Sequence, residues 1–158
     1  AMIRLIIILA FFAISLNVYS DTFTIEDDNL RDLGSELSDE IKKNKEFSIF
    51  RSLNCKLQGK AISLSASEDE SVYLYTTKNA CGWGASTGPI WLIWKKKGIL
   101  KIIFYNGGYS LTKKNITSSG LHSFSLNSSF SGKSVEKNFS FDGFTYKEYD
   151  ETQGLRHD

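Results

Sequence analysis

Two histidines and a group of nearby serines are the residues whose types could support acid–base or nucleophilic chemistry. His122 lies in a Ser-rich stretch beside Ser123 and Ser125, and His157 lies near the end of the chain. A catalytic histidine needs a nucleophile and an orienting acid placed around it by the fold. Neither serine lies in a nucleophile-elbow motif. We therefore predict a surface or structural role for His122, no catalytic residue, and a protein that is not an enzyme.

The sequence also lacks the patterns that typically hold a metal or a phosphate-bearing cofactor. It has no HExxH motif and no Cys/His pair at ligand spacing. The carboxylates of Glu68–Glu70 lack the loop of a calcium hand, so they indicate a solvated turn. The Gly-rich segment Cys81–Pro89 precedes a strand and lacks Gly-Lys-Ser/Thr, unlike a phosphate-binding loop. We predict no metal and no cofactor.

Cys55 and Cys81 are the two cysteines of the chain. In an oxidising compartment two such cysteines most often pair. A bond closing this loop would stabilise the fold by roughly 3 kcal/mol on the chain-entropy estimate. The alternative is a reactive thiol, which needs a helix N-terminus or a neighbouring histidine. We expect the disulfide.

The first twenty residues resemble a cleavable secretory signal peptide. Arg4 supplies the positive start, Leu5–Leu16 is an apolar run, and Ser20 ends a segment that signal peptidase accepts. The alternative is a membrane anchor, but a spanning helix needs about 20 apolar residues. We predict an exported protein, periplasmic or secreted, with a single domain over residues 21–150 and a flexible tail over 151–158.

Without the leader, the charges balance at 18 basic and 18 acidic residues. This balance, with no basic run interleaved with aromatics, argues against nucleic acid as a partner. We also expect no membrane association after cleavage of the leader. Charge is nevertheless uneven, because the segment from Asp21 to Glu40 is acidic and the segment from Lys95 to Lys114 is basic. Solvated faces explain this pattern; internal pairing or a basic surface for an acidic partner are the alternatives.

The fold class predicted from periodicity is α+β, with an N-terminal helix packed on a meandering antiparallel sheet. Thr24 can cap the helix, and four apolar residues at helical spacing lead to Lys42 and Lys43. Asn106–Gly108 and Asp142-Gly143 indicate tight turns. The predicted strands are Phe47–Phe50, Lys60–Leu64, Val72–Thr77, Ile90–Trp94, Ile99–Tyr105, Tyr109–Thr112, Leu121–Asn127, Val135–Phe141 and Phe144–Glu148.

Each of the three tryptophans is a candidate for either a core residue or an exposed contact residue. Trp83 is flanked by two glycines, so it is either a plug on the core or an exposed contact residue. Trp91 and Trp94 lie on opposite faces of one strand. One of them can fill the core beneath the helix, and the other can join tyrosines in an exposed patch or be covered by a second layer.

Several of these motifs together resemble a group of small exported bacterial proteins of uncharacterised function. The shared pattern is a Cys-Gly loop (Cys81-Gly82), a Gly-Pro-x-Trp strand (Gly88–Trp91), a Gly-Gly-Tyr turn (Gly107–Tyr109) and a Phe-Asp-Gly hairpin (Phe141–Gly143). The resemblance implies a bacterial, exported, β-rich domain. It implies no activity and no catalytic residue.

We expect a non-enzymatic domain that binds a protein, most concretely an inhibitor or immunity protein against an exported enzyme or toxin. The expected contact residues are Trp83, Tyr109 and the lysines around Lys96. The alternative function is a carbohydrate- or peptidoglycan-binding module of the cell envelope that uses its Trp and Tyr side chains.

Overall fold

The computed structural model of the protein describes residues 21–85 and 87–151, and for Phe130 its backbone alone. The predicted leader (1–20) and all but the first residue of the predicted tail lie outside these residues. The helical elements are α1 (Ser35–Lys42), a 3₁₀ turn (Lys45–Phe47), α2 (Ser48–Ser52) and a 3₁₀ turn (Lys78–Ala80). The strands are β1 (Thr22–Thr24), β2 (Leu57–Ile62), β3 (Glu70–Thr77), β4 (Gly88–Lys96), β5 (Ile99–Gly108), β6 (Ser110–Ser118), β7 (Leu121–Phe130), β8 (Lys133–Phe141) and β9 (Tyr146–Tyr149).

The strands form two antiparallel sheets rather than the single sheet that we predicted. One has the order β2-β3-β4-β5 and the other the order β1-β6-β7-β8-β9. The chain passes between them where β5 ends at Gly108 and β6 begins at Ser110. A Cβ on Gly108 would lie 2.6 Å from Cδ1 of Leu126, so a side chain at this crossing would force Leu126 to move. The tight turn predicted at Asn106–Gly108 is wrong, because β5 continues through these residues.

Strand β4 shows how the layers are built. Ile90 and Leu92 lie in the core between the two sheets, whereas Trp91 and Ile93 lie in a second core beneath the helices. All four side chains are fully buried, as expected for a strand that is apolar on both faces. Trp94 is covered by the second sheet, with its ring 5.3 Å from that of Phe141. The molecule therefore has three layers: helices, the four-stranded sheet and the five-stranded sheet.

The helical layer begins later than predicted. Thr24 does not cap a helix, because it belongs to β1 and pairs with Ser110. The helix starts only after Gly34, whose φ of 101° is a conformation that favours glycine. Leu37 and Ile41 then pack into the core beneath the helices. The helix is therefore eight residues long and not N-terminal.

The strand predicted at Phe47–Phe50 is wrong, because these residues form the 3₁₀ turn and α2. The side chain of Asn44 accepts a hydrogen bond from the backbone N–H of Glu46 and so starts the turn. Phe47 and Phe50, three residues apart, then face the same way. Their rings meet the Trp91 ring edge-on at 5.4 and 5.0 Å.

The disulfide between Cys55 and Cys81 is confirmed, with the two Cα atoms 5.6 Å apart. It ties the segment after α2 to the loop before β4. The hairpin at Asp142-Gly143 has a four-residue loop rather than two, since Phe141 pairs with Tyr146. Oδ1 of Asp142 accepts the backbone N–H groups of Phe144 and Thr145, both at 2.8 Å.

Candidate functional site

Two loops meet at one end of the sandwich. The β4–β5 hairpin turns at Lys97 and Gly98, whose φ values of 51° and 74° suit a two-residue turn. The second loop, 142–145, joins β8 to β9. The Lys101 ammonium lies 5.4 Å from the centre of the Phe144 ring, and this contact joins the two loops. Side chains from both sheets therefore share this end.

Large apolar side chains are exposed at the start of β5 and on the loop 142–145. Ile99 is 72% exposed and Phe144 is 70% exposed, the highest values among the described large apolar side chains. Beside Ile99 lies a shallow hollow of about 220 Å³, whose floor includes Trp94. We call this surface the tip patch. It consists of Trp94, Lys96, Lys97, Ile99, Lys101 and Phe144.

The tip patch carries positive charge. Glu70 accepts a hydrogen bond from Trp94 Nε1 at 3.1 Å and forms an ion pair with Lys96, also at 3.1 Å. Across residues 21–85 and 87–151, no carboxylate lies within 4 Å of the Lys97 or Lys101 ammonium group. Their charges are therefore available to an acidic partner.

Asp142 supplies no free negative charge to this end of the molecule. The backbone N–H groups of Thr145 and Phe144 lower the pKa of its carboxyl to about 2. Its other oxygen lies 3.2 Å from Lys147 Nζ. The carboxylate is thus occupied in shaping the loop that presents Phe144.

Trp83, an expected contact residue, lies over Gly88, the first residue of β4. Its indole Nε1 donates to the Thr77 hydroxyl at 2.8 Å. A Cβ on Gly88 would lie 2.6 Å from this nitrogen, so the indole lies directly on the Gly88 backbone. Trp83 is partly buried and packs on the core between the sheets. This is the geometry expected of a plug.

Tyr109, the second expected contact residue, is half-buried against the same core. Its hydroxyl donates to Oε2 of Glu26 at 2.8 Å. This hydrogen bond to a carboxylate raises the pKa of Tyr109. Some carboxylates of the acidic segment 21–40 are thus paired within the molecule. The ion pairs Asp27–Lys60 and Asp21–Lys113 are two further examples.

The three expected contact residues do not form one surface. Gly88, which Trp83 covers, pairs with Gly108, the neighbour of Tyr109. Lys96 lies at the opposite end of β4, about 26 Å away at the usual rise of a strand. Trp83 and Tyr109 therefore share one end, whereas Lys96 belongs to the tip patch at the other.

Ile99 and Phe144 are the members of the tip patch that sequence reasoning missed as contact residues. An apolar residue directly after a Lys-Gly turn is the signal that could have identified Ile99. Phe144 carries no comparable signal, because its neighbourhood depends on the pairing of two loops far apart in the chain.

The histidine considered for catalysis is held by the backbone. Nδ1 of His122 lies 2.8 Å from the carbonyl oxygen of Lys114, to which it donates. Within the described part of the chain, no three His, Cys, Asp or Glu side chains are close enough to hold a metal ion.

A third serine, Ser86, lies in a motif that resembles a nucleophile elbow. Residues Gly84–Gly88 match the pattern G-x-S-x-G. A nucleophile elbow places its serine between a strand and a helix. Here Gly84 and Thr87 exchange two backbone hydrogen bonds, at 2.8 and 3.0 Å, just before β4 begins at Gly88. The surrounding elements therefore differ from those of an elbow.

Comparisons with known proteins complete the description. No protein-family model, curated protein or solved structure matches the chain. Among the residues that the structure describes, no helix is both long and apolar enough to cross a membrane.

Proposed function

We propose that this chain is an exported bacterial protein, periplasmic or secreted, that binds another protein through the tip patch and is not itself an enzyme. Its partner presents an acidic surface with a protruding apolar side chain. An exported enzyme or toxin that the protein inhibits is the most concrete partner. The observation that carries the proposal is the exposure of Ile99, at the start of β5, and of Phe144, on the loop 142–145, among lysines.

The combination of charges and apolar side chains suits a protein partner. Exposed apolar residues grouped together mark interaction sites, and their centre supplies most of the binding energy. Lys97 and Lys101, which lack carboxylate partners among the described residues, would speed association with an acidic surface. The patch therefore combines an apolar anchor with electrostatic steering.

The shape of the patch favours a protein over an anionic membrane. The hollow beside Ile99 is lined by Trp94 and by the stems of lysines, and it can receive a side chain from outside. Binding to a membrane requires apolar groups that enter the bilayer, and a hollow contributes nothing to that insertion.

Two features support an exported location. The Cys55–Cys81 disulfide is typical of proteins that work in an oxidising compartment. The sequence of residues 1–20 has the pattern of a secretory leader. The resemblance to small exported bacterial proteins agrees with both features.

The alternative of a glycan-binding module needs a platform of exposed aromatic rings. Tyr75 and Trp91 are 1% and 0% exposed, and Trp94 packs on Phe141. Tyr105 is 40% exposed and stacks on Trp91 at 5.3 Å between ring centres. Of these four rings only that of Tyr105 is more than a third exposed, so they form no exposed platform and give this alternative no specific support.

The proposal is tested by capture followed by measured affinity. Tagged protein is expressed in the native host, and co-purifying proteins are identified by mass spectrometry and then purified. Their affinity is compared for the wild type, an Ile99→Ser/Phe144→Ser variant and an Ile116→Ser control. Ile116 is 64% exposed and lies outside the patch, on β6.

We expect an acidic partner whose affinity falls about thirtyfold or more in the patch variant and is unchanged in the control. Equal affinity for both variants would contradict the proposed surface. Recovery of cell-wall glycan alone, or tighter binding to anionic vesicles than to any protein, would contradict the protein-binding function.

A further inference from the structure

A second cavity lies away from the tip patch, between the helical layer and the outer edge of β2. Its volume is about 840 Å³, within the range of small-molecule sites. Ile41, Phe47 and Phe50 give it an apolar wall, since these side chains pack on the core beneath the helices. We call it the helix–β2 cleft.

Basic side chains surround this cleft. They are Arg31, Lys42, Arg51, Lys56 and Lys78. Within residues 21–85 and 87–151, none of the five forms an ion pair, although six lysines elsewhere do. Like charges around one cavity repel each other, and an anion placed among them would relieve this repulsion.

The one acidic side chain among the described residues that line the cleft, Asp32, offsets only one of these five positive charges. Asp32 lines the cavity together with the five cations. Its Oδ1 accepts the backbone N–H of Gly34 at 2.9 Å, just before α1 begins. The carboxylate therefore serves the start of the helix, and the cleft keeps a net positive charge.

A buried hydroxyl without a partner lies beneath the wall of the cleft. Tyr75 is 1% exposed, and no described group accepts or donates a hydrogen bond at its hydroxyl. A Cβ on Gly59 would lie 2.8 Å from the Tyr75 ring, so the ring crosses Gly59 toward the outer edge of β2. Arg31 pairs with Gly59 on that edge.

The raised pKa of the Tyr75 hydroxyl is consistent with its burial. Burial, and then the charge of Asp32, raises the pKa of Tyr75 to about 12. The hydroxyl therefore stays protonated and able to donate at neutral pH. Buried polar groups without a partner are uncommon in folded proteins, and a ligand is one way to satisfy them.

We propose that the helix–β2 cleft binds a small amphiphilic anion, a molecule with a carboxylate, sulfonate or phosphate group on an apolar body. The guanidinium groups of Arg31 and Arg51 suit such groups because they donate two parallel hydrogen bonds. The apolar body lies against Phe47 and Phe50.

The test uses two fluorescent probes with the same apolar body. Anilinonaphthalene sulfonate carries an anionic group, and phenylnaphthylamine lacks it. Binding is titrated for the full protein, for an Arg51→Gln/Lys78→Gln variant of the cleft and for a Lys133→Gln/Lys137→Gln control on β8, outside both the cleft and the tip patch. Both variants lose two exposed positive charges. Circular dichroism checks that they melt as the wild type does.

We expect one saturable site for the sulfonate probe, with affinity that falls about tenfold or more in the cleft variant and stays unchanged in the control. Equal affinity for the two probes, equal losses in the two variants, or no saturable binding would overturn the proposal. Because the cleft variant leaves the tip patch intact, these outcomes leave the protein-binding function to its own test.

Discussion

The Lys101 ammonium lies 5.4 Å from the centre of the Phe144 ring, across the gap between the two sheets. Lys101 belongs to β5 of the four-stranded sheet, and Phe144 belongs to the loop that joins two strands of the other sheet. A cation over an aromatic face contributes about 0.5–1 kcal/mol at an exposed site. This contact helps to hold Phe144 beside the hairpin that carries Ile99, and so it helps to form the tip patch.

The first prediction separates binding from stability at the tip patch. Ile99→Ser/Phe144→Ser should change the free energy of unfolding by no more than about 1 kcal/mol, because both side chains are exposed. Urea unfolding measures this change. A larger loss of stability would mean that the two side chains support the fold and that their exposure is not evidence of a binding surface.

The second prediction concerns the disulfide. Cys55→Ser/Cys81→Ser removes the link between the segment after α2 and the loop before β4, across a sequence separation of 26 residues. We expect the free energy of unfolding to fall by about 3 kcal/mol. Chemical denaturation with and without reductant checks this value, and the wild type in reductant should match the variant. A loss below about 1 kcal/mol would contradict it.

The third prediction concerns the crossing between sheets. Gly108→Ala places a Cβ 2.6 Å from Leu126 Cδ1, inside a core that has no free space. We expect a loss of about 1–3 kcal/mol, the usual cost of overpacking. Gly84→Ala is the matched control, because a Cβ there meets nothing within 4 Å. Equal melting temperatures for the two variants would show that β5 and β7 are not in close contact.

The fourth prediction concerns the buried hydroxyl of Tyr75. Tyr75→Phe removes a polar atom that has no described hydrogen-bond partner and keeps the ring in place. Without ligand, the variant should be as stable as the wild type or more stable by about 1 kcal/mol, because burial of an unsatisfied group is unfavourable. Differential scanning calorimetry measures the change. A marked loss of stability would mean that the hydroxyl is hydrogen-bonded and not available to a ligand.

The fifth prediction is a pH dependence at Asp142. Its folded-state pKa of about 2 lies below the value of 3.8 for an unperturbed Asp. Because the folded pKa is depressed, the carboxylate stabilises the fold above pH 4, and this contribution is lost as the pH falls from about 4 to 2. NMR titration of the carboxyl carbon should give a midpoint near 2. A midpoint near 4 would show that the Phe144 and Thr145 N–H groups do not bind the carboxylate.

The strands were largely predictable because their signals are local. The apolar run Ile90–Trp94 correctly indicated a strand buried on both faces. The layering was not predictable, because the switch from one sheet to the other at Gly108 depends on the approach of Leu126, eighteen positions further along the chain. A Gly-Gly pair looks the same in sequence whether it turns a hairpin or lets two sheets approach.

In the helical region the local sequence pattern itself was ambiguous, and the strand predicted there was wrong. Phe47–Phe50 is a short run with three apolar residues in four positions, so it fits a strand as well as a helical turn. The deciding interaction is the cap from Asn44 to Glu46, which lies just outside that window. At the tip patch, sequence reasoning reached Lys96 from the density of lysines. Phe144 could not be predicted as a contact residue from the sequence, because its contact with Lys101 joins the two sheets.

Site-specific photo-crosslinking in the native host shows whether the tip patch contacts a partner protein. A photo-crosslinking amino acid replaces Ile99 or Phe144 in the patch and, as controls, Ile49 or Ile116, which are also exposed. We predict one cross-linked protein, the same from positions 99 and 144, and none from positions 49 and 116. No adduct at positions 99 and 144, or the same adducts at all four positions, would contradict the account.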